Sequence, residues 1–392
     1  MEWWLRSRGI YSLIGRLEPI NLPSAINDHL RGLSGCVAVM GEEPRVVIVG
    51  AGAIGSSLAG WLAPKYANLS LLARGEALEA IRNRGLKCYL KGERSSASPI
   101  RLRAIGSLAE IPPPDILVIT VKDYDLEATS RDLRAQLGDH EPIVVGLQNG
   151  VLNQQILPRH FSKPVYGVAC YNAWREGPGE VGHEPRGYVI LGRPTNDLQA
   201  EVRTVAGILA LGLNCVTTDR FQDAAHSKLV INLANALMTL LGPQRRPESF
   251  GLLAHMTVML QFEGVRLLKA AGFHEHSLGH VPSWRTIRIA AMLPESVTTP
   301  LFRLTTKRIG LNSMSQDVFG GRTSTELEAL NGYMLDLARR TGFPTPINET
   351  IYEVARERFG PGFRPISEQD LWSRIQQKVR DVGSTDGLRA RG

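Results

Sequence analysis

The run RVVIVGAGAIGSSLAGWLA, residues 45–63, constrains the fold more than any other stretch of the chain. A β-branched apolar segment leads straight into Gly50, Gly52 and Gly55, and a helix-forming segment follows. In such a G-x-G-x-x-G turn the first glycine permits the tight turn, the second lets the backbone approach a pyrophosphate, and the third allows close packing of helix on strand. The helix N-terminus then faces the anion. Gly50, Gly52, Ala53, Ile54 and Gly55 are therefore the expected dinucleotide-binding loop, opening a parallel α/β domain.

The text beyond the loop supports that class. LSLLA (69–73), DILVITVK (115–122) and PIVVGLQNG (142–150) are nearly continuous in apolar residues, as strands covered on both faces should be. YGVACYNAW (166–174) and GYVILG (187–192) read as further strands, and EVRTVAGILALGL (201–213) as a helix. Where NAD-binding chains carry an acid to receive the ribose hydroxyls, the second strand here ends in Ala73, Arg74 and Gly75. A guanidinium at Arg74 matches a 2′-phosphate in charge and fork geometry, so NADPH/NADP is the expected cofactor. Lys122 and Asn149 close the next two apolar runs. Ligands of open α/β sheets bind outside the carboxyl ends of strands, so both side chains should reach the cleft.

After Thr218 the strand signals stop and helical spacing takes over. The expected division is an N-terminal extension over 1–43, a Rossmann-type domain over 44–218, a mainly α-helical substrate and dimerisation domain over 219–365, and a mobile tail over 366–392. ESFGLLAHMTVMLQFEGVRLLKAAG (248–272) is its longest expected helix, stopped by Gly272. HSKLVINLANALM (226–238) is apolar apart from a narrow stripe. Lys228, Asn232, Asn235 and Thr239 fall within about 60° of one another on a helical wheel, so the stripe should face solvent or a polar cavity. In TSTELEALNGYMLDLARRTG, Glu326 lies at the edge of the apolar face and Glu328 about 200° away. Glu326 is the better candidate for function, with a helix-terminal acid as the plain alternative. The Ser313 hydroxyl, in GLNSMSQD, suits either a helix cap or a ligand contact.

Composition excludes several classes. The 392 residues carry a formal charge of +7, but the basic residues are scattered among acids rather than gathered in a patch, so nucleic acid is not expected. No apolar segment reaches membrane-spanning length, and residues 1–43 lack a signal-peptide run and are expected to be poorly ordered. Cys36, Cys88, Cys170 and Cys215 are widely spaced, which suits reduced thiols in a cytoplasmic protein. His274, His276 and His280 lack metal-site spacing, so no metal is expected.

Seven segments in one order, GAGAIG, LLARG, VKDYD, LQNG, KLVINLANAL, SMSQD and ELEALNG, resemble the ketopantoate reductase (2-dehydropantoate 2-reductase) family of pantothenate biosynthesis. The resemblance covers roughly Arg45 to Glu357. It implies an oxidoreductase in which NADPH and a small-molecule 2-oxo acid meet between a Rossmann domain and a helical domain, and it allows a homodimer. Lys228 would donate the proton, Asn232 and Asn235 would bind substrate, and Glu326 would hold its hydroxyl. Ser313 would hold its carboxylate; Asn149 would lie near nicotinamide and substrate; Lys122 would be the cofactor-side lysine. This chain departs from the family at the substrate end. Asn235 stands seven residues after Lys228, where the family has eight and Ala236 stands here. One extra residue separates Ser313 from Glu326, Gly310 replaces an asparagine that Asn312 supplies beside the serine, and the Gly272–Ser313 stretch is long. An opine-type dehydrogenase and a non-catalytic NADP sensor are the alternative readings.

Overall fold

The structure is a computed structural model and describes residues 43–243, 250–279, 281–294, 297, 299 and 312–389. The segment 1–42, His280 and Gly310 lie outside the described residues.

The apolar runs pair into one eight-stranded sheet. It comprises β1 (Val46–Val49), β2 (Leu69–Leu72), β4 (Arg103–Ile105), β5 (Ile116–Ile119), β6 (Ile143–Gly146), β7 (Pro164–Cys170), β10 (Tyr188–Gly192) and β11 (Asn214–Thr217). Their order is β11-β10-β7-β6-β5-β1-β2-β4, parallel except where β7 meets β10. The order reverses between β1 and β5, so the crevice beyond their carboxyl ends is where a ligand is expected. β3 (Lys87–Leu90), β8 (Ala173–Gly177) and β9 (Glu180–His183) form a second, three-stranded sheet.

Helices cover the large sheet: α1 (Ala53–Leu62), α2 (Gly75–Arg84), α3 (Asp123–Leu137), the single turn α4 (Asn153–Ile156) and α5 (Gln199–Leu209). From Phe221 onward the described residues are helical or connecting. There the helices are α6 (Phe221–Asn232), α7 (Ala234–Leu241), α8 (Phe250–Ala270), α9 (Trp284–Met292), α10 (Ser313–Phe319), α11 (Tyr333–Thr341), α12 (Pro346–Arg358) and α13 (Glu368–Arg389). Gly272, at φ +85°, follows α8. One apolar core runs without interruption from the sheet (Leu117, Val144, Ile190) through Phe221 and Leu229 into Leu260, Leu330 and Ile351. The opposite face of the sheet has its own core, around Ile48, Leu58 and Val118.

Two expectations are corrected, and four short strands escape the sequence reading. YGVACYNAW is not one strand: β7 and β8 belong to different sheets and the chain turns at Tyr171 and Asn172. The short strands β3, β4, β9 and β11 carry no periodic signal. Three or four residues are too few to show alternation, and the small sheet instead takes its place by packing on α1, where a Cβ at Gly60 would lie 2.7 Å from that of Cys88. Residues 366–392 are not a loose tail, because most of them form α13. Ser367 caps it by accepting the Asp370 N–H at 3.1 Å, and Leu371 and Ile375, one turn apart, are fully buried in the main core. Truncating Leu371 to alanine should cost about 2–5 kcal/mol, and urea unfolding checks this; a loss near zero would mean α13 is not docked.

Candidate active site

The glycine loop behaves as its sequence requires. Gly50 has φ +106°, a conformation open to glycine at little cost. A Cβ at Gly55 would fall 2.0 Å from the Gly50 carbonyl oxygen and 2.4 Å from Thr120 Oγ1, so only glycine lets α1 approach β1 this closely. The Thr120 hydroxyl donates to the Val49 and Gly50 carbonyls at 2.9 and 3.1 Å and fixes the turn. At Gly52, the N-cap of α1, a Cβ would meet nothing within 4 Å. That open space at a ten-residue helix N-terminus fits a pyrophosphate. Arg74, at the end of β2, is exposed and paired with Asp132 of α3 through one nitrogen at 2.6 Å.

Beyond the ends of β5 and β6, side chains from sheet and helices converge. Gln148 donates to the carbonyls of Ile119 and Val121 at 2.8 and 3.0 Å, which ties the two strand ends together. Gly150, at φ +82°, brings the turn so close to the helical part that a Cβ there would lie 2.6 Å from the Ala329 carbonyl oxygen. Asn149 thereby reaches Glu326 and donates to its Oε1 at 3.1 Å. Glu326 is 2% exposed, whereas Glu328 is exposed. Its other oxygen, Oε2, accepts the Ser313 hydroxyl at 2.6 Å and lies 4.0 Å from the Lys122 ammonium. Asn232 completes the line by donating to Asn149 Oδ1 at 3.1 Å. The cap of α10 is Asn312, which accepts the Ser315 N–H at 2.8 Å, so the Ser313 hydroxyl is free for Glu326.

Lys228 lies one turn before Asn232 on the same face of α6. Burial pushes its ammonium below the ordinary lysine range, opposed by the Cys170 thiol. Among the described residues nothing accepts a hydrogen bond from it or pairs with it. Asn235 is half-buried, and the group it contributes is its backbone carbonyl, which accepts from Thr239 at 2.7 Å and Asn312 at 3.2 Å. It is therefore not joined to the Asn232–Asn149–Glu326–Ser313 line.

Two acids missed in the sequence stand beside these residues. Lys122 pairs with Asp317 of α10 and donates to the Ser313 carbonyl at 3.2 Å, spanning sheet and helices. Asp123, the first residue of α3, is 8% exposed. Both belong to segments already singled out, VKDYD and SMSQD, but an acid at a strand end or in a first helical turn ordinarily means a cap. His274 and His276 are engaged with protein groups, the first by its N–H to Asp223 and the second with Thr218 and Ser277. Among the described residues there is no cluster able to hold a metal, and no helix is long and apolar enough to cross a membrane.

The helical wall of the site is irregular. Glu328–Gly332 is a π-helical turn, a feature that commonly marks functional sites. Asn331 within it reaches across to the Leu233 carbonyl at 3.5 Å, at the junction of α6 and α7, and exchanges hydrogen bonds with Asn348 at 2.8 and 3.0 Å. The Glu263 carboxylate holds the start of α12 by accepting the N–H groups of Ile347 and Asn348 at 2.9 and 2.8 Å.

Residues 46–196 match the ketopantoate reductase PanE/ApbA family and residues 220–359 match the C-terminal part of the same family. The chain belongs to the ketopantoate reductase family. Among its relatives, the 2-dehydropantoate 2-reductase of Pyrococcus horikoshii is 25% identical over 327 residues, 81% of this chain and 99% of that protein. The crystal structure of 2-dehydropantoate 2-reductase from Geobacter metallireducens is 25% identical, with a TM-score of 0.63 over 80% of this chain and 99% of that one. A D-mandelate dehydrogenase bound to NADH and anilino(oxo)acetate has the same fold, at TM-score 0.64 and 20% identity over 80% of this chain and 97% of that one. Family membership makes this chain an oxidoreductase acting on CH–OH groups.

Asp317 is nearly buried, with 7% of its side chain exposed, against 29% for Lys122. Replacing Lys122 by methionine leaves that carboxylate with Arg322, 3.8 Å away, as its remaining cation among the described residues. Stability should fall by about 1–3 kcal/mol, read by chemical denaturation; an unchanged midpoint would show the pair to be energetically idle.

Proposed function

We propose that this chain uses NADPH to reduce ketopantoate, or a close 2-oxo acid, to the 2-hydroxy acid. The observation that carries the reading is the line of hydrogen bonds from Asn232 through Asn149 and Glu326 to Ser313, with Lys228 one turn away. It stands beyond the strand ends, beside the phosphate loop. Similarity to the 2-dehydropantoate 2-reductases of Pyrococcus horikoshii and Geobacter metallireducens supports the substrate assignment.

When bound, NADPH supplies the hydride. The chain's own residues would do the rest. Gly50, Gly52, Ala53, Ile54 and Gly55 hold the pyrophosphate against the α1 N-terminus. Arg74 keeps two guanidinium nitrogens clear of Asp132 for a 2′-phosphate. Lys228, desolvated and without a carboxylate partner among the described residues, stabilises the negative charge that grows on the ketone oxygen and gives it a proton. Asn232 and Asn149 orient the substrate. The Glu326 carboxylate, already accepting from Asn149 and Ser313, receives the substrate's hydroxyl, Ser313 turns its hydroxyl to the substrate's carboxylate, and Lys122 serves the cofactor side. Asn235, whose side chain makes no bond to this line among the described residues, contributes least to recognition.

A panel of 2-oxo acids assayed with NADPH and NADH, followed by nicotinamide absorbance, tests the reading. Turnover of ketopantoate with a preference for NADPH is expected. Turnover that requires an added amino acid would replace it with an opine-type reaction, and dinucleotide binding without turnover of any acid would make the chain a sensor. Lys228→Ala should lower kcat/KM by about 10²–10⁴, and an unaffected variant would remove Lys228 from the proton transfer.

A further inference from the structure

Asp123 has no part in the scheme above, yet its placement is unusual. It opens α3 immediately after Lys122, at the carboxyl end of β5, and is buried. One carboxyl oxygen, Oδ1, is fully buried and has no hydrogen-bond partner in the protein. A carboxylate oxygen left bare in a low-dielectric setting is costly, and a proton on the group relieves that cost. The surroundings push the same way. The Glu326 carboxylate of the helical wall bears on Asp123 and disfavours a second negative charge. Asp317 of α10 adds a third carboxyl to the site, but the Lys122 ammonium is committed to it and to the Ser313 carbonyl. Lys122 and the N–H groups of Asp123 and Tyr124 favour the charged form, but burial and Glu326 outweigh them, so the Asp123 carboxyl is pushed up to about 7. Farther along the turn, Asp125, Asp317 and Arg322 act on Tyr124.

Resting on the proposed 2-oxo acid reaction, we propose that Asp123 is a positioning residue that acts through Glu326. It holds a proton while the anionic substrate is bound, so that substrate binding is coupled to proton retention at this carboxyl. With Asp123 neutral, Glu326 alone of the two carboxyls carries negative charge toward the substrate's hydroxyl. With Asp123 ionised, a second negative charge sits next to Glu326 and opposes the incoming anion. Substrate affinity then falls as pH rises through neutrality, and the neutral isostere Asp123→Asn removes that dependence.

The same proton is visible without any turnover. The folded-state value lies above the ordinary aspartate value of 3.8, so the stability contributed by Asp123 is fully present below that value and is lost as pH rises through about 7. Asp123→Asn should therefore melt close to wild type near pH 4, progressively higher than wild type as pH rises to about 7, and by a constant margin above that.

The experiment measures KM and kcat for ketopantoate with NADPH between pH 5.5 and 8.5, and melting temperature between pH 4 and 8.5, for wild type and Asp123→Asn. The expected result is a wild-type KM that climbs by up to about tenfold per pH unit above neutrality, a shallower climb in the variant, and a melting gap that opens between about pH 4 and 7 and stays level above. Loss of protonated Lys228 would act on both proteins alike, so the difference between them isolates Asp123. Superimposable KM profiles, or a melting difference independent of pH, would overturn the proposal. If no 2-oxo acid turns over, the substrate assignment falls, while the melting comparison still decides whether Asp123 holds a proton.

Discussion

A single buried carboxylate organises this molecule. Glu326 takes donors from both halves of the chain, Asn149 from the sheet and Ser313 from the helices, with the Lys122 ammonium at 4.0 Å. A carboxylate so deeply placed is tolerated only when its oxygens are satisfied. The LQNG turn, the start of α10 and the end of β5 are therefore held to one another by the need to satisfy it. Lys122 reinforces the arrangement by linking the strand end to Asp317 and to the Ser313 carbonyl.

The cofactor side rests on a steric constraint. Gly55 and Gly150 each stand where a Cβ would press into backbone carbonyl oxygen, at 2.0 Å from Gly50 and 2.6 Å from Ala329. The first contact seats α1 against β1, and the second seats the sheet against the π-helical turn. Gly52 has the opposite property, open space at a helix N-terminus. Close packing around the loop and room at its centre are what a backbone-bound phosphate needs.

Much of this architecture is legible in the sequence because the signals are strong and local. Long apolar runs mark β1, β2, β5, β6 and β10, and the glycine spacing marks the loop between β1 and α1. The helical wheel separates Glu326, buried, from Glu328, exposed. Signals fail where a segment's state is decided by distant partners. The three-stranded sheet is held by α1 rather than by its own pattern, and α13 shows too short a periodicity to reveal that Leu371 and Ile375 dock into the core. Asn235 illustrates a second limit. The wheel aligns it with Lys228 and Asn232, but α6 gives way to α7 at Leu233, and its role is set by Asn312 and Thr239. Asp123 and Asp317 were in view as letters, but only folding puts them beside Glu326 and Lys122.

The main core does not stop between the sheet and the helices: Leu117 and Val144 belong to the same apolar body as Leu260 and Ile351. Chains whose halves have separate cores can lose one half and keep the other. Here, exposing the helices means opening one face of the sheet as well, so the two share a single cooperative fate. The amide hydrogens of β5 and α8 then exchange with solvent through the same rare event. A dinucleotide bound at the strand ends slows that event for helices it never touches, by the mass-action stabilisation that any native-state ligand confers.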